Sequence, residues 1–128
     1  MPWRESFEIG PVKHNAPIPM VTRTGNFVYT SGVMGADPAT GQIPESLEQQ
    51  AENCFINLEA ALAKAGAKPS DVAKMTVYIK SNNNRQLVNP PWLKMFPDEH
   101  SRPARHQTVV ETLNFDIQIE AVAIIEGA

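Results

Sequence analysis

Arg102-Pro-Ala-Arg-His-Gln-Thr-Val-Val-Glu-Thr-Leu-Asn-Phe-Asp-Ile-Gln-Ile-Glu120 is the stretch whose reading decides the fold. It predicts two apolar-alternating strands, 105–113 and 117–125, joined by a short Asn-Phe-Asp turn. Along the second strand Ile117, Ile119, Ala121, Ala123 and Ile125 point to one side, and Gln118, Glu120, Val122 and Ile124 to the other. Arg105 stands at the entry of the first strand. Glu120 sits mid-strand, where desolvating a charge is costly unless it is paired or used. It could be a solvated charge on an outer sheet face, or an ion-pair partner of Arg105. Val122 and Ile124 share its face, however, and that favours a semi-buried pocket or a subunit interface.

Two helices are expected. Ser46 to Ala65 predicts one, with Ser46 and Gln49 as a capping box. Leu47, Ala51, Cys54, Phe55, Leu58 and Leu62 form an apolar stripe, Lys64 suits the C-terminal dipole, and Gly66 is the stop. A second helix is expected to begin near Asn89, with Pro90 and Pro91 in its first turn. Val72–Lys80 predicts a strand with Ala73, Met75, Val77 and Ile79 inward. Phe27–Val33 predicts another, followed by a turn at Asp37-Pro-Ala-Thr-Gly41. Residues 5–9 form a short first strand. Residues 10–20, with Pro11, Pro17 and Pro19, form an irregular arm. Strands, helix, strand, helix and two strands describe an α+β two-layer sandwich with two helices on one sheet face. The phases place Arg105, Gln107 and Glu120 together on the other face, and an uncovered face of mixed polarity invites self-association.

Composition bounds the function. The 128 residues fit one domain, 1–128, with an ordinary apolar content of 42% and charge of 20%. A net charge of −3 argues against a phosphate-driven nucleic-acid binder. No apolar run approaches the roughly 20 residues of a membrane span, and the opening Met-Pro-Trp-Arg-Glu-Ser does not read as a secretory signal. Cys54 is the single cysteine. No intrachain disulfide can form, and a cytoplasmic location is expected. On the apolar side of its helix, Cys54 reads as an inert core thiol rather than a nucleophile. His14, His100 and His106 are not spaced as a metal set. Ser31 has no His–Asp arrangement beside it and reads as a structural hydroxyl.

Four segments carry a resemblance. They are Val28-Tyr-Thr-Ser-Gly32 with Asp37-Pro-Ala-Thr-Gly41; Gln49 and Ala51 with Asn57-Leu58 and Ala60-Ala61, leading to Gly66 and Asp71-Val72-Lys74; Asn89; and Pro103-Ala-Arg105 with Ile119-Glu120-Ala121. From about residue 15 onward the chain resembles the Rid (YjgF-type) family of enamine/imine deaminases, once labelled translation inhibitors or endoribonucleases L-PSP. The resemblance implies a chorismate-mutase-like fold with a mixed sheet, and a homotrimer with sites in the clefts between subunits. It implies that Arg105 holds a substrate carboxylate and Glu120 positions or activates water. Ser31, Gly32 and Gln107 would line the pocket, with Asn89 nearby, and no metal or organic cofactor would take part.

The implied reaction is hydrolysis of a 2-imino acid, or an aminomuconate-like enamine, to the 2-oxo acid and ammonia. A planar guanidinium matches a carboxylate in two-pronged fashion, and a carboxylate in a partly dry cleft can act as general base to water. Three departures stand out. Ile18 falls where the family has a tyrosine, and Gln107 stands where it usually has cysteine. Trp92, Met95, Phe96 and His106 add bulk near the expected site, pointing to a larger or more apolar substrate. Trp92 also reads as a plain amphipathic-helix anchor. Two other functions compete: a non-catalytic, regulatory trimer that captures a carboxylate metabolite, and an RNase, against which the acidic balance weighs.

Overall fold

The computed structural model describes residues 2–127. Its strands are β1 (Arg4–Phe7), β2 (Val21–Thr24), β3 (Phe27–Thr30), β4 (Val33–Met34), β5 (Val72–Ile79), β6 (Ala104–Val109) and β7 (Ile117–Ile124). Its helices are α1 (Leu47–Lys64) and α2 (Asn89–Met95). The sheet order is β1-β2-β3-β7-β5-β6, with β4 also pairing β7. β6 runs parallel to β5 and the other pairs are antiparallel, so the sheet is mixed. This is the expected α+β sandwich.

α1 begins where Ser46 Oγ accepts from the Gln49 backbone N–H at 3.1 Å. Only half of the expected capping box forms, because the Gln49 side chain donates to Asn53 Oδ1 instead. The helix ends at Ala65 and Gly66, whose φ of +85° suits glycine. Ala51, Cys54, Phe55, Leu58 and Leu62 are buried against Val33, Ile117 and Ile119 on the sheet. A buried polar row runs beside that stripe. Asn53 donates to Gly35 O at 3.2 Å, and Asn57 to Met34 O and Ala36 O at 3.0 and 2.8 Å. These bonds satisfy the carbonyls around β4 in a place water does not reach. α2 begins at Asn89 with the prolines in its first turn, as the sequence predicts.

Several boundaries move. The expected Phe27–Val33 strand breaks at Ser31-Gly32 into β3 and β4, and β1 lies at 4–7 rather than 5–9. A register shift between Val72 and Lys74 puts Val72 inward and leaves Ala73 exposed, so the inward set is Val72, Met75, Val77 and Ile79. β6 ends at Val109, and β5 lies between it and β7. The two closing strands are therefore not partners across the Asn-Phe-Asp segment.

Register fixes which side chains share a face. Arg105 pairs with Met75 and Gln107 with Val77, both core residues. Arg105 and Gln107 thus lie on the helix side of the sheet. Glu120 pairs with Thr76, and it lies on the other side with Gln118, Val122 and Ile124. The expectation that all three share the bare face is corrected. Alternation along a strand gives that strand's own phase, but the phase of β6 relative to β7 depends on β5 between them. The bare face also carries Tyr29, Lys74 and Tyr78, and its Phe27, Tyr29 and Ile124 are 46%, 49% and 45% exposed.

Candidate active site

One cluster of functional side chains forms where β6 meets the start of α2. Arg105 Nη2 donates to Asn89 Oδ1 at 3.0 Å. The guanidinium also stacks over the Trp92 ring, 4.8 Å from its centroid, within cation–π range. Asn89 Nδ2 donates in turn to Gln86 Oε1 at 2.6 Å. Two residues along β6, Gln107 Nε2 donates to the Arg85 carbonyl at 2.9 Å. Its Oε1 is buried with no hydrogen-bond partner among the described residues. Partial burial lowers the Arg105 pKa, but an arginine starts so high that it stays a cation at neutral pH. The open recess here is lined by Arg85, Gln86, Asn89, Arg105, His106 and Gln107.

The sequence expected bulk around this site, and the structure gives that bulk a different job. Trp92 is buried and backs the guanidinium. Phe96 packs edge-on behind it, with ring centroids 4.8 Å apart, and belongs to the core. Neither ring stands in the recess.

A second cluster lies on the bare face. Tyr78 Oη donates to Glu120 Oε1 at 2.6 Å. That bond raises the Tyr78 pKa, with burial and the carboxylate's charge adding to it. Ser31 and Gly32 form the break between β3 and β4, beside Gln118 and Glu120. Ser31 Oγ donates to the Pro19 carbonyl at 2.6 Å and its backbone N–H to Met20 O at 2.9 Å. The serine hydroxyl is thus a tether for the arm, as its sequence surroundings suggest. A Cβ on Gly32 would meet the Gln118 amide, so the glycine leaves room for that side chain in its present position. Ile18, just before Pro19, is 45% exposed.

The structure therefore groups Arg105, Asn89, Gln107 and Trp92 on the helix side of the sheet and sets Glu120 with Tyr78 on the other. Ser31 and Gly32 lie at the break between β3 and β4, and Ile18 on the arm that Ser31 tethers. Tyr78, Arg85 and Gln118 were missed from the sequence. Tyr78 had a signal, because it falls out of phase with the inward residues of its strand. Cys54 is buried in the core, and burial pushes its thiol far up. Among the described residues no three His, Cys, Asp or Glu side chains group as a metal site would need, and no helix is long and apolar enough to cross a membrane.

Fold and clusters together define a class: an α+β sandwich with a tethered guanidinium on one sheet face and a hydroxyl-bonded carboxylate on the other, groups suited to a small carboxylate ligand. Comparison with known proteins goes further. A family model described as Endoribonuclease L-PSP matches residues 13–126, and the chain belongs to that family, the Rid or YjgF-type family its motifs resemble. A RutC family protein of Pyrococcus abyssi is 35% identical over 109 residues, covering 84% of each chain. The 2-iminobutanoate/2-iminopropanoate deaminase of Escherichia coli K12 is 35% identical over 101 residues, covering 78% of this chain and 79% of its own. Among solved structures, one from Thermotoga maritima superposes with a TM-score of 0.85 at 34% identity, covering 96% and 99%. Escherichia coli TdcF with bound serine gives 0.82 at 28%, covering 94% and 98%.

Proposed function

We propose that this protein hydrolyses 2-imino carboxylates to 2-oxo acids and ammonia, at sites assembled between copies of the chain in a homotrimer. The observation that carries this reading is the opposed placement of two prepared groups. Arg105 is held by Asn89 and Trp92 on one face, and Glu120 is held by Tyr78 on the other. One copy cannot bring them to the same small molecule, but two copies can. The exposed Phe27, Tyr29 and Ile124 on the same face as Glu120 support a second copy there. The deaminase activity in the name of the Escherichia coli relative supports the chemistry.

In this reading Arg105 grips the substrate carboxylate and fixes the neighbouring C=N carbon, which raises its effective molarity toward water. Glu120 takes a proton as water adds to that carbon, and the C–O bond forms while the C=N π pair moves to nitrogen. That proton passes to nitrogen, giving a carbinolamine. Its hydroxyl proton is then carried by Glu120 to the nitrogen, the C–N bond breaks, and ammonia departs as the C=O forms. The second reading is carboxylate binding without turnover. It is favoured by Ile18, which brings no hydroxyl from the arm.

The test is release of ammonia and 2-oxo acid from freshly generated 2-imino acids, against spontaneous hydrolysis. The expected result is acceleration by the wild type and a loss of about 100-fold or more in kcat/KM for Arg105→Ala, the scale of losing a two-pronged charge-assisted contact. Binding of 2-oxo acids with no acceleration for any imine would favour the second reading.

A further inference from the structure

We propose that Tyr78 is a positioning residue for Glu120, holding one carboxylate oxygen so that the other is presented to the attacking water. The inference rests on the deaminase reading above. The register pairs Thr76 with Glu120 and Tyr78 with Gln118. The phenol therefore reaches Glu120 diagonally across the β5–β7 ladder, a distance long side chains span. Its Oη–Oε1 separation of 2.6 Å lies in the range of charge-assisted O–H···O⁻ bonds. A phenol ordinarily titrates far above a carboxylate, so the proton stays on Tyr78 and Glu120 accepts. The raised Tyr78 pKa agrees with that direction.

This geometry bears on a departure of the chain from its family. Ile18 occupies the position the resemblance assigns to a tyrosine of the arm, so no phenol comes from that side. Here a hydroxyl reaches the water-activating carboxylate from the sheet itself. A bond to Oε1 restrains the Glu120 rotamer and leaves Oε2 free. The other titratable groups facing Glu120 are Lys74 on β5, Tyr29 on β3 and His106 on β6, with Arg105 of a second copy in the assembled site. None of these is altered by a change at Tyr78.

The experiment compares wild type with Tyr78→Phe, which keeps the ring and removes only the hydroxyl. The Glu120 side-chain carboxyl, labelled with 13C and assigned by the signal lost in Glu120→Gln, is followed by NMR at neutral pH. In parallel, kcat and KM are measured with a 2-imino acid. Loss of the Oη–Oε1 bond should move the Glu120 carboxyl signal. At neutral pH kcat should fall by about 3- to 10-fold with KM nearly unchanged, a split that lost packing would not give. An unmoved Glu120 carboxyl signal overturns the inference whether or not the protein turns over imines. An unchanged kcat in an active enzyme overturns it too. Failure of the wild type to accelerate hydrolysis would instead sink the deaminase reading, and with it any role of Tyr78 in that reaction.

Discussion

Arg105 shows how much a single side chain depends on its supports. A free arginine has considerable rotamer entropy, and a carboxylate site built on it would lose affinity to ordering. Here the guanidinium lies on Trp92 and bonds Asn89, so much of that ordering precedes ligand binding. We expect Trp92→Leu to weaken 2-oxo acid binding by about 2- to 10-fold, the scale of one cation–π contact. Trp92→Phe should retain most of the affinity, because it keeps an aromatic face. Calorimetric titration with a 2-oxo acid checks this, and equal affinity in all three proteins would show that the stacking does not prepare the site. Sequence alone singled out Arg105, Glu120 and Trp92 as residues, but it could not give their partners. The Tyr78–Glu120 bond joins positions 42 apart in sequence through strand register, which no local pattern encodes.

At the scale of elements, α1 does more than cover the sheet. Its polar row Asn53 and Asn57 clamps the carbonyls of Met34, Gly35 and Ala36. Those residues continue from Ser31 and Gly32, so the clamp helps to fix the break that flanks Glu120. Asn57→Ala removes two donors and leaves buried carbonyls unmet. It should cost about 2–4 kcal/mol in urea unfolding, and a change under about 0.5 kcal/mol would mean the clamp contributes nothing. The helices were readable because their periodicity and stop signals are local, and α2 began at Asn89 as its prolines indicated. Most strands were readable in existence and, for β7, in phase, but β2 was not foreseen. The shift at Ala73 and the parallel pairing of β6 were not, since both are set by tertiary pairing rather than by alternation. That is why Arg105 was expected on the wrong face.

At the scale of the whole molecule, the opposed faces of Arg105 and Glu120 become the organising fact. In the reading proposed above, a protomer with these two groups on opposite sides of one sheet has no complete site of its own. In the same reading, the bare face, which also carries the exposed Phe27, Tyr29 and Ile124, is where a second copy would bring its Arg105. In a closed ring each copy would give Arg105 to one neighbour and Glu120 to the other, and this geometry follows from the register of β5 against β6 and β7.

Mixing two inactive variants tests this claim most directly. Arg105→Ala and Glu120→Gln are each purified, shown to be inactive, then unfolded together and refolded, with mixed assemblies isolated by differential tags. Any ring holding both variants has an interface where an intact Arg105 meets an intact Glu120. The account predicts that imine deaminase activity, absent from each parent, returns in the mixed assemblies. Mixed assemblies that remain as inactive as their parents, beside a wild-type control refolded to full activity, would contradict it.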